Sequence, residues 1–197
     1  MNITSQMVKE LRDKTNAGMM DCKKALTETT GDMEKAVDLL RQKGLAVAQK
    51  RADRATSQGV IESYIHAGSK LGVLIEVGCE TDFVAKTDDF VAFAKDIAMH
   101  VAASNPVAVT REEVPAELVE REREIYKAQA LDSGKPANIV DKIVSGKIDK
   151  FMADICLMEQ KFVKNPDLSV QDLLNELIAK MGENISIKRF ARFQIGA

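Results

Sequence analysis

The sequence predicts an α+β fold: a module of three short helices, a linker, and a core in which helices cover a small three-stranded antiparallel sheet. Apolar residues recur at helical spacing in the first quarter of the chain. Two runs rich in β-branched residues then flank a turn signal, and a third such run lies near the end of the chain. Because about three strands are the minimum for a stable sheet, the late run is expected to pair with the first two.

The amino-terminal segment predicts three amphipathic helices separated by two breaks. Thr4 or Ser5 can cap the first helix, which ends at Asn16-Ala17-Gly18. Gly31 and Asp32 separate the second helix from the third, and Asp32 is a suitable N-cap. The apolar faces consist of Met7, Val8 and Leu11 in the first helix, Met19, Cys22 and Leu26 in the second, and Met33, Ala36, Val37 and Leu40 in the third.

A change of charge and composition near residues 54–57 predicts a domain boundary. Gly44 follows basic residues and predicts the C-cap of the third helix. Residues 1–54 carry a net charge of +3 and residues 55–197 a net charge of −5, and small polar residues follow Arg54. We therefore expect a three-helix domain over residues 1–54 and an α+β core over residues 55–197.

The core is predicted to begin with a β-hairpin. Residues 60–66 and 71–77 are the two strands, and residues 67–70 carry the turn signal. A helix that ends at Asn105-Pro106 should follow. Its apolar face is formed by Phe90, Ala94, Ile97 and Val101.

The rest of the core is predicted to be mainly helical. A capping box that begins at Thr110 predicts a strongly charged helix to about Leu131, and Ser133-Gly134-Lys135-Pro136 ends it. The remaining expectations are a helix that starts near Ile139, another over residues 148–162, a loop at Asn165-Pro166, a helix after the capping box at residues 169–172 that Gly182 ends, and a strand over residues 185–195.

Composition excludes several functional classes. The net charge of −2 gives no global basic field for nucleic acid. The three cysteines, Cys22, Cys79 and Cys156, are far apart and form no Cys-x-x-Cys pair, which argues against a disulfide scaffold or zinc ribbon and favours a reducing cytoplasm. The sequence has neither a signal-peptide apolar stretch nor an uncharged apolar run of about 18 residues, the length of a membrane span. We expect neither nucleic acid nor a membrane as a direct partner.

The sequence offers little for catalysis. Neither His66 nor His100 belongs to a ligand set or triad, and phosphate-binding glycine loops are absent. We therefore expect no enzyme, no cofactor and no metal. Two alternatives stay open: a small-molecule enzyme, which would need a pocket with a perturbed histidine, and a ubiquitin-type or nucleic-acid adaptor, which the three-helix module and Lys50-Arg51 would serve.

Two segments are candidates for partner binding. The first joins the second strand to the next helix and contains Thr81, Asp82, Phe83 and Val84. Thr81 or Asp82 can cap a helix there, and Phe83 is then either a core residue or an exposed aromatic wedge on a rigid turn. The second contains Met19 and Met20, which lie about 100° apart on one helix, so that one can face the core while the other faces a partner or solvent.

Several long motifs occur in the order found in one family of translation factors. Residues 8–12 and 18–26 resemble an amino-terminal signature, and residues 79–85 resemble a core signature. Further matches are residues 31–36, 123–125, 151, 156–160 and 189–193. On these motifs the chain resembles the short form of bacterial translation elongation factor Ts over nearly its whole length.

The resemblance implies guanine-nucleotide exchange on elongation factor Tu, the GTPase that carries aminoacyl-tRNA. It also implies that the three-helix module is similar to ubiquitin-associated domains. The turn of Thr81, Asp82, Phe83 and Val84 would intrude near the magnesium site of the GTPase, dislodge the ion and loosen GDP. The module would dock on the nucleotide-binding domain, with Leu11, Met19 and Met20 as contact residues, while the core reaches another domain of the same partner.

The length of the chain implies one further property. It suffices for one core unit, whereas the long form of the family has two related ones. Short family members pair through the core, so the resemblance implies a homodimer formed through the core sheet. Residues 182–197 contain no cysteine, and we therefore expect the dimer to be non-covalent.

Overall fold

The computed structural model describes residues 3–15, 17–133 and 136–196. The α+β class predicted from the sequence is confirmed. Asn16, Gly134 and Lys135, which belong to two of the predicted helix breaks, lie outside the described residues. The chain forms two compact units, the first with Met1–Glu62, Glu76–Lys95 and Gln171–Lys188 and the second with Ser63–Ile75, Asp96–Val170 and Arg189–Ala197.

Helices and strands follow one another in separate runs and do not alternate regularly, as expected of an α+β chain. The helices are α1 Ser5–Thr15, α2 Met19–Glu28, α3 Met33–Arg51, α4 Asp82–Ala85, α5 Asp88–Ser104, α6 Ala116–Asp132, α7 Ala137–Ile155 and α8 Val170–Met181. The strands are β1 Gln58–Ile65, β2 Leu71–Cys79, β3 Lys161–Phe162, β4 Asn165–Ser169 and β5 Ile185–Gln194. Short 3-10 turns lie at Arg111–Glu113 and Leu157–Glu159.

The three amino-terminal helices pack on one another as predicted. Oγ1 of Thr4 accepts a hydrogen bond from the Met7 amide at 3.2 Å, so Thr4 caps α1. Oδ1 of Asp32 accepts one from the Lys35 amide at 3.1 Å, which confirms Asp32 as the cap of α3. The core between the helices consists of Val8, Leu11, Cys22, Ala25, Leu26 and Ala36.

The third helix is longer than predicted. Gly44 is not its C-cap, because α3 continues to Arg51. A Cβ atom at Gly44 would lie 3.8 Å from the Cβ of Ala179, so the helix passes α8 at this point, and Arg41 forms an ion pair with Asp172 of α8 at 2.7 Å. Packing and the good helix formers after Gly44 therefore outweigh the helix propensity of one glycine.

The predicted hairpin and closing strand are confirmed. The three-stranded antiparallel sheet has the order β1-β2-β5. Gly68 and Ser69 adopt positive φ values of 89° and 54° in the turn between β1 and β2. Gly59 has φ 150°, and a Cβ atom there would lie 2.1 Å from the Val77 carbonyl oxygen, so only glycine fits between the two strands.

Helices α5 and α8 are also confirmed. The predicted apolar face of α5 is fully buried, and the helix ends at Ser104, before Asn105 with φ 47°. Gly182, with φ 75°, ends α8 as predicted.

The capping box at Thr110 does not begin a long helix. It gives only the 3-10 turn Arg111–Glu113, and α6 begins at Ala116. Pro115 explains the difference, because proline lacks an amide hydrogen for the helix interior but suits the start of a helix. The Glu113 carboxylate instead accepts a hydrogen bond from the Val109 amide at 3.1 Å.

The two predicted helices after residue 136 are one helix, and the predicted loop is part of a strand. Helix α7 runs through Gly146 to Ile155, because packing against α6 stabilises it along its length. The segment predicted as the end of a helix, up to residue 162, instead forms β3, which pairs antiparallel with β4. Local sequence did not indicate this pairing, because β3 has only two residues.

His100 is a fully buried histidine of the second unit. The Val163 amide donates to its Nδ1 at 3.2 Å, which places the proton on Nε2, and Nε2 donates to Oε1 of Gln160 at 2.9 Å. The Gln160 amide group in turn donates to the Asp154 carbonyl at 2.7 Å. Burial lowers the pKa of His100, and the hydrogen bond from Val163 requires a neutral ring.

The free energy of unfolding is expected to decrease as the pH is lowered, because His100 binds a proton more readily in the unfolded chain than in the folded one. The unfolded chain takes up a proton near the ordinary pKa of 6.5, whereas the folded chain does so only at its lower pKa. Stability is thus complete above pH 6.5 and decreases as pH falls below it. In urea unfolding between pH 6.5 and about pH 5, His100→Gln should lower stability at the upper pH and flatten the pH dependence; an unchanged slope would contradict this assignment.

A pair of glycine substitutions tests the close approach of β1 and β2. Gly59→Ala should lower the free energy of unfolding by more than about 2 kcal/mol, because it adds both backbone strain and a steric overlap. The control Gly146→Ala meets open space inside α7 and should raise stability by about 0.5–1 kcal/mol. Urea midpoints give both values, and equal midpoints for wild type and Gly59→Ala would show that the strands do not approach as described.

Candidate functional site

The turn after β2 is a single-turn helix capped by threonine. Oγ1 of Thr81 accepts a hydrogen bond from the Val84 amide at 3.4 Å, and the Thr81 carbonyl accepts one from the Ala85 amide at 3.3 Å. Thr81 has extended backbone angles, as an N-cap requires. Of the two caps that the sequence allowed, the structure uses Thr81, and Asp82 is the first residue of α4.

Phe83 is exposed on this turn. Its side chain is 80% accessible, whereas the following Val84 and Ala85 are buried. Successive residues of a helix point about 100° apart, so a turn that buries Val84 and Ala85 directs Phe83 to solvent. The structure therefore excludes the interpretation of Phe83 as a core residue.

Asp82 lies beside Phe83 and forms an ion pair one helical turn along the chain. Nζ of Lys86 donates to Oδ2 of Asp82 at 2.6 Å, and both side chains are largely exposed. This hydrogen bond and the positive charge of Lys86 lower the pKa of Asp82. Asp82 is accordingly a carboxylate at neutral pH.

Two glutamates connect the turn to the loop before β5. The Glu183 carboxylate accepts from the Thr81 amide at 3.0 Å through Oε2 and from the Thr81 hydroxyl at 2.7 Å through Oε1. In the opposite direction, Oε1 of Glu80 accepts a hydrogen bond from the main-chain amide of Asn184 at 2.6 Å. We call these two reciprocal contacts the glutamate clamp; they join segments 102 and 104 residues apart in the chain.

The segment after α3 is attached to the same place. The buried Asn184 side chain donates to the carbonyls of Ala52 at 3.2 Å and Arg54 at 2.7 Å. Nη1 of Arg54 lies 3.5 Å from the Glu80 carboxylate, so the ion pair is long and partly exposed. The residues just before the predicted linker are thus held in place.

A cysteine supports the turn from within. The thiol of Cys79, fully buried, donates to the Thr81 carbonyl at 3.1 Å. Burial, followed by the nearby Glu183 carboxylate, raises the pKa of Cys79 and keeps the thiol protonated. Thr87 closes the other end of α4, since its hydroxyl donates to the Val84 carbonyl at 2.8 Å.

The second candidate segment also places apolar side chains at the surface. Met19 and Met20 begin α2 and are 59% and 63% accessible. The expectation that Met19 fills the core is wrong, because Cys22, Ala25 and Leu26 already fill it. Leu11 is fully buried in this core, so its side chain has no surface to offer a partner.

A third apolar surface lies on the sheet. Ile65 of β1, Leu74 of β2, Phe193 of β5 and Ile195 just after it are exposed, and together they line one shallow groove. Neighbouring exposed apolar side chains make this groove a candidate surface for a protein partner. The resemblance implied a dimer through the core sheet but did not identify these residues, because alternation within a strand does not tell which face is covered.

The histidines have structural partners. His66 lies at the hairpin turn, where its Nδ1 is 3.0 Å from the hydroxyl of Tyr64, and His100 belongs to the buried network described above. Over residues 3–15, 17–133 and 136–196, no group of three or more His, Cys, Asp or Glu side chains could hold a metal ion. Over the same residues, no helix is long and apolar enough to cross a membrane.

Comparison with known proteins gives the family. The family model described as elongation factor TS matches residues 1–197. Elongation factor Ts of Desulfotalea psychrophila is 77% identical over 197 residues, which cover 100% of both chains. The relative from Geobacter sulfurreducens is 64% identical over 196 residues, covering 100% of this chain and 91% of the relative. The relative from Carboxydothermus hydrogenoformans is 63% identical over 194 residues, covering 98% and 89%.

The matches extend from one end of the chain to the other and include every motif on which the resemblance was recognised. The chain therefore belongs to the elongation factor Ts family of translation elongation factors.

Proposed function

We propose that this chain is a guanine-nucleotide exchange factor for elongation factor Tu and promotes GDP release without making or breaking covalent bonds. Membership of the elongation factor Ts family supports elongation factor Tu as the partner. The observation that carries the mechanism is the exposure of Phe83 on a turn that hydrogen bonds hold on both sides. Phe83, with Asp82, intrudes near the magnesium site of the GTPase and weakens the binding of the ion and of GDP.

Exchange requires that the factor bind the nucleotide-free partner more tightly than the GDP-bound partner, because linkage makes the weakening reciprocal. To weaken the binding of GDP 10⁴-fold, the factor would have to bind the nucleotide-free partner more tightly than the GDP-bound partner by roughly 5.5 kcal/mol. Burial of one phenylalanine side chain supplies only about 1.5–3 kcal/mol. Phe83 therefore acts together with other surfaces that hold the partner.

The three-helix domain over residues 1–54 provides one of these surfaces. Met19 and Met20 are exposed, unbranched and adaptable, and such side chains suit a protein interface. Leu11 belongs to the buried core of this domain and makes no contact with the partner itself. We place the domain on the nucleotide-binding domain of the partner.

Asp82 has an electrostatic role in this proposal. Thr81 already caps α4, so the carboxylate of Asp82 is not needed as a cap. Its lowered pKa keeps it negative next to Phe83. A negative charge that approaches the phosphate side of the nucleotide site repels GDP. In the free factor, Lys86 offsets part of the charge of Asp82.

The core over residues 55–197 provides dimerisation. The groove of Ile65, Leu74, Phe193 and Ile195 is the surface that a second copy of the chain covers. Cys22, Cys79 and Cys156 are all buried as free thiols, so the proposed homodimer is non-covalent.

A factor that acts on elongation factor Tu works beside the ribosome, and we place it in the cytoplasm.

Phe83→Ala tests the mechanism. The variant should slow catalysed release of labelled GDP from elongation factor Tu by about tenfold or more, because the truncation removes the wedge. Its binding to the GDP-bound partner should weaken much less, because the wedge favours the nucleotide-free state. Leu131→Ala, which truncates another exposed apolar side chain, is the matched control and should behave as wild type. Equal losses of release and binding would make Phe83 an anchor and not a wedge.

Phe193→Lys tests the dimer. A buried, unpaired charge in the sheet interface should convert the dimer to a monomer in sedimentation velocity at micromolar concentration. Val163→Lys places the same charge on another exposed apolar residue and should leave the dimer intact. A wild-type chain that sediments as a monomer would refute the homodimer.

A further inference from the structure

The glutamate clamp fixes the turn at Thr81 by hydrogen bonds from a distant part of the chain. Both oxygens of the Glu183 carboxylate contact one residue, Thr81, through its amide and its hydroxyl. Hydrogen bonds to a carboxylate are stronger than those between neutral groups, and two of them fix direction as well as distance. Thr81 is also the cap of α4, whose second residue is Phe83.

The geometry relates Glu183 to Phe83 through Thr81. Glu183 holds Thr81, Thr81 caps α4, and α4 directs the ring of Phe83 to solvent. A helix of four residues has no stability of its own, so contacts from outside set its orientation. Cys79 holds the Thr81 carbonyl but leaves the amide and hydroxyl of Thr81 to Glu183.

We propose that Glu183 is a positioning residue for nucleotide exchange, which orients Phe83 by holding the amide and hydroxyl of Thr81. This inference rests on the exchange function proposed above. Without the carboxylate, α4 can tilt and the ring samples positions away from the magnesium site of the partner. Misplacement by about 1 Å is enough to reduce the rate of a positioned reaction greatly.

The experiment measures GDP release from elongation factor Tu as a function of factor concentration. Glu183→Ala should lower the maximal rate at saturating factor by about tenfold, with the half-saturating concentration within about twofold of wild type. Glu183→Gln should restore most of the rate, since its amide oxygen accepts from the Thr81 amide and its NH₂ group donates to the hydroxyl. Asp89→Ala removes a carboxylate that pairs with Lys180 of α8 and should leave the rate unchanged.

A double variant separates positioning from general destabilisation. In a Phe83→Ala background, Glu183→Ala should lower the maximal rate no further, because the ring that it orients is absent. A structural role would lower the rate by the same factor in both backgrounds. If Glu183→Ala does not fold, Thr81→Val is measured in its place. It removes the hydroxyl contact to Glu183 together with the cap of α4 but keeps the amide contact, and it should give a partial loss of the rate.

The outcomes for the two proposals are distinct. If Phe83→Ala exchanges at the wild-type rate, the proposed wedge is wrong. If Phe83→Ala is slow while Glu183→Ala and Thr81→Val both exchange at the wild-type rate, the wedge stands and the positioning role of Glu183 is overturned. Equal effects of Glu183→Ala in both backgrounds would also overturn it.

Discussion

The hydrogen bonds between the loop after β2 and the loop before β5 are the constraint on which the site depends. The Glu183 carboxylate accepts two hydrogen bonds from Thr81, and the Glu80 carboxylate accepts one from the main-chain amide of Asn184. Two segments that are distant in the sequence therefore hold each other. Charge-assisted hydrogen bonds of this kind are worth about 1.5–3 kcal/mol each. They stabilise a four-residue helix that could not form alone, and they decide where Phe83 lies.

The same arrangement explains why a large aromatic ring is left in water. Burying Phe83 on folding would have stabilised the chain by about 1.5–3 kcal/mol. The chain instead buries Val84 against its core and exposes the ring, while Met19 and Met20 are exposed on α2. Exposed apolar side chains on anchored segments leave their area to be buried by a partner, which is what the proposed exchange function requires.

Local patterns in the sequence predicted what local physics decides. The cap at Asp32, the hairpin turn and the end of α8 at Gly182 are all as expected. One miss is local, because Pro115 delays the helix expected after Thr110. Other misses lie where distant contacts override propensity, as at Gly44, where α3 continues past α8. The turn around Phe83 was identified from its motif, but the role of Glu183 was not, because the sequence gives no sign that residues 102 positions apart meet.

A structure of the chain bound to nucleotide-free elongation factor Tu is the most direct test of the proposed wedge. The ring of Phe83 should lie against the partner where magnesium and the phosphates of GDP bind, with α4 in the orientation described here. A complex in which this ring lies in solvent or contacts a surface remote from the nucleotide site would contradict the mechanism.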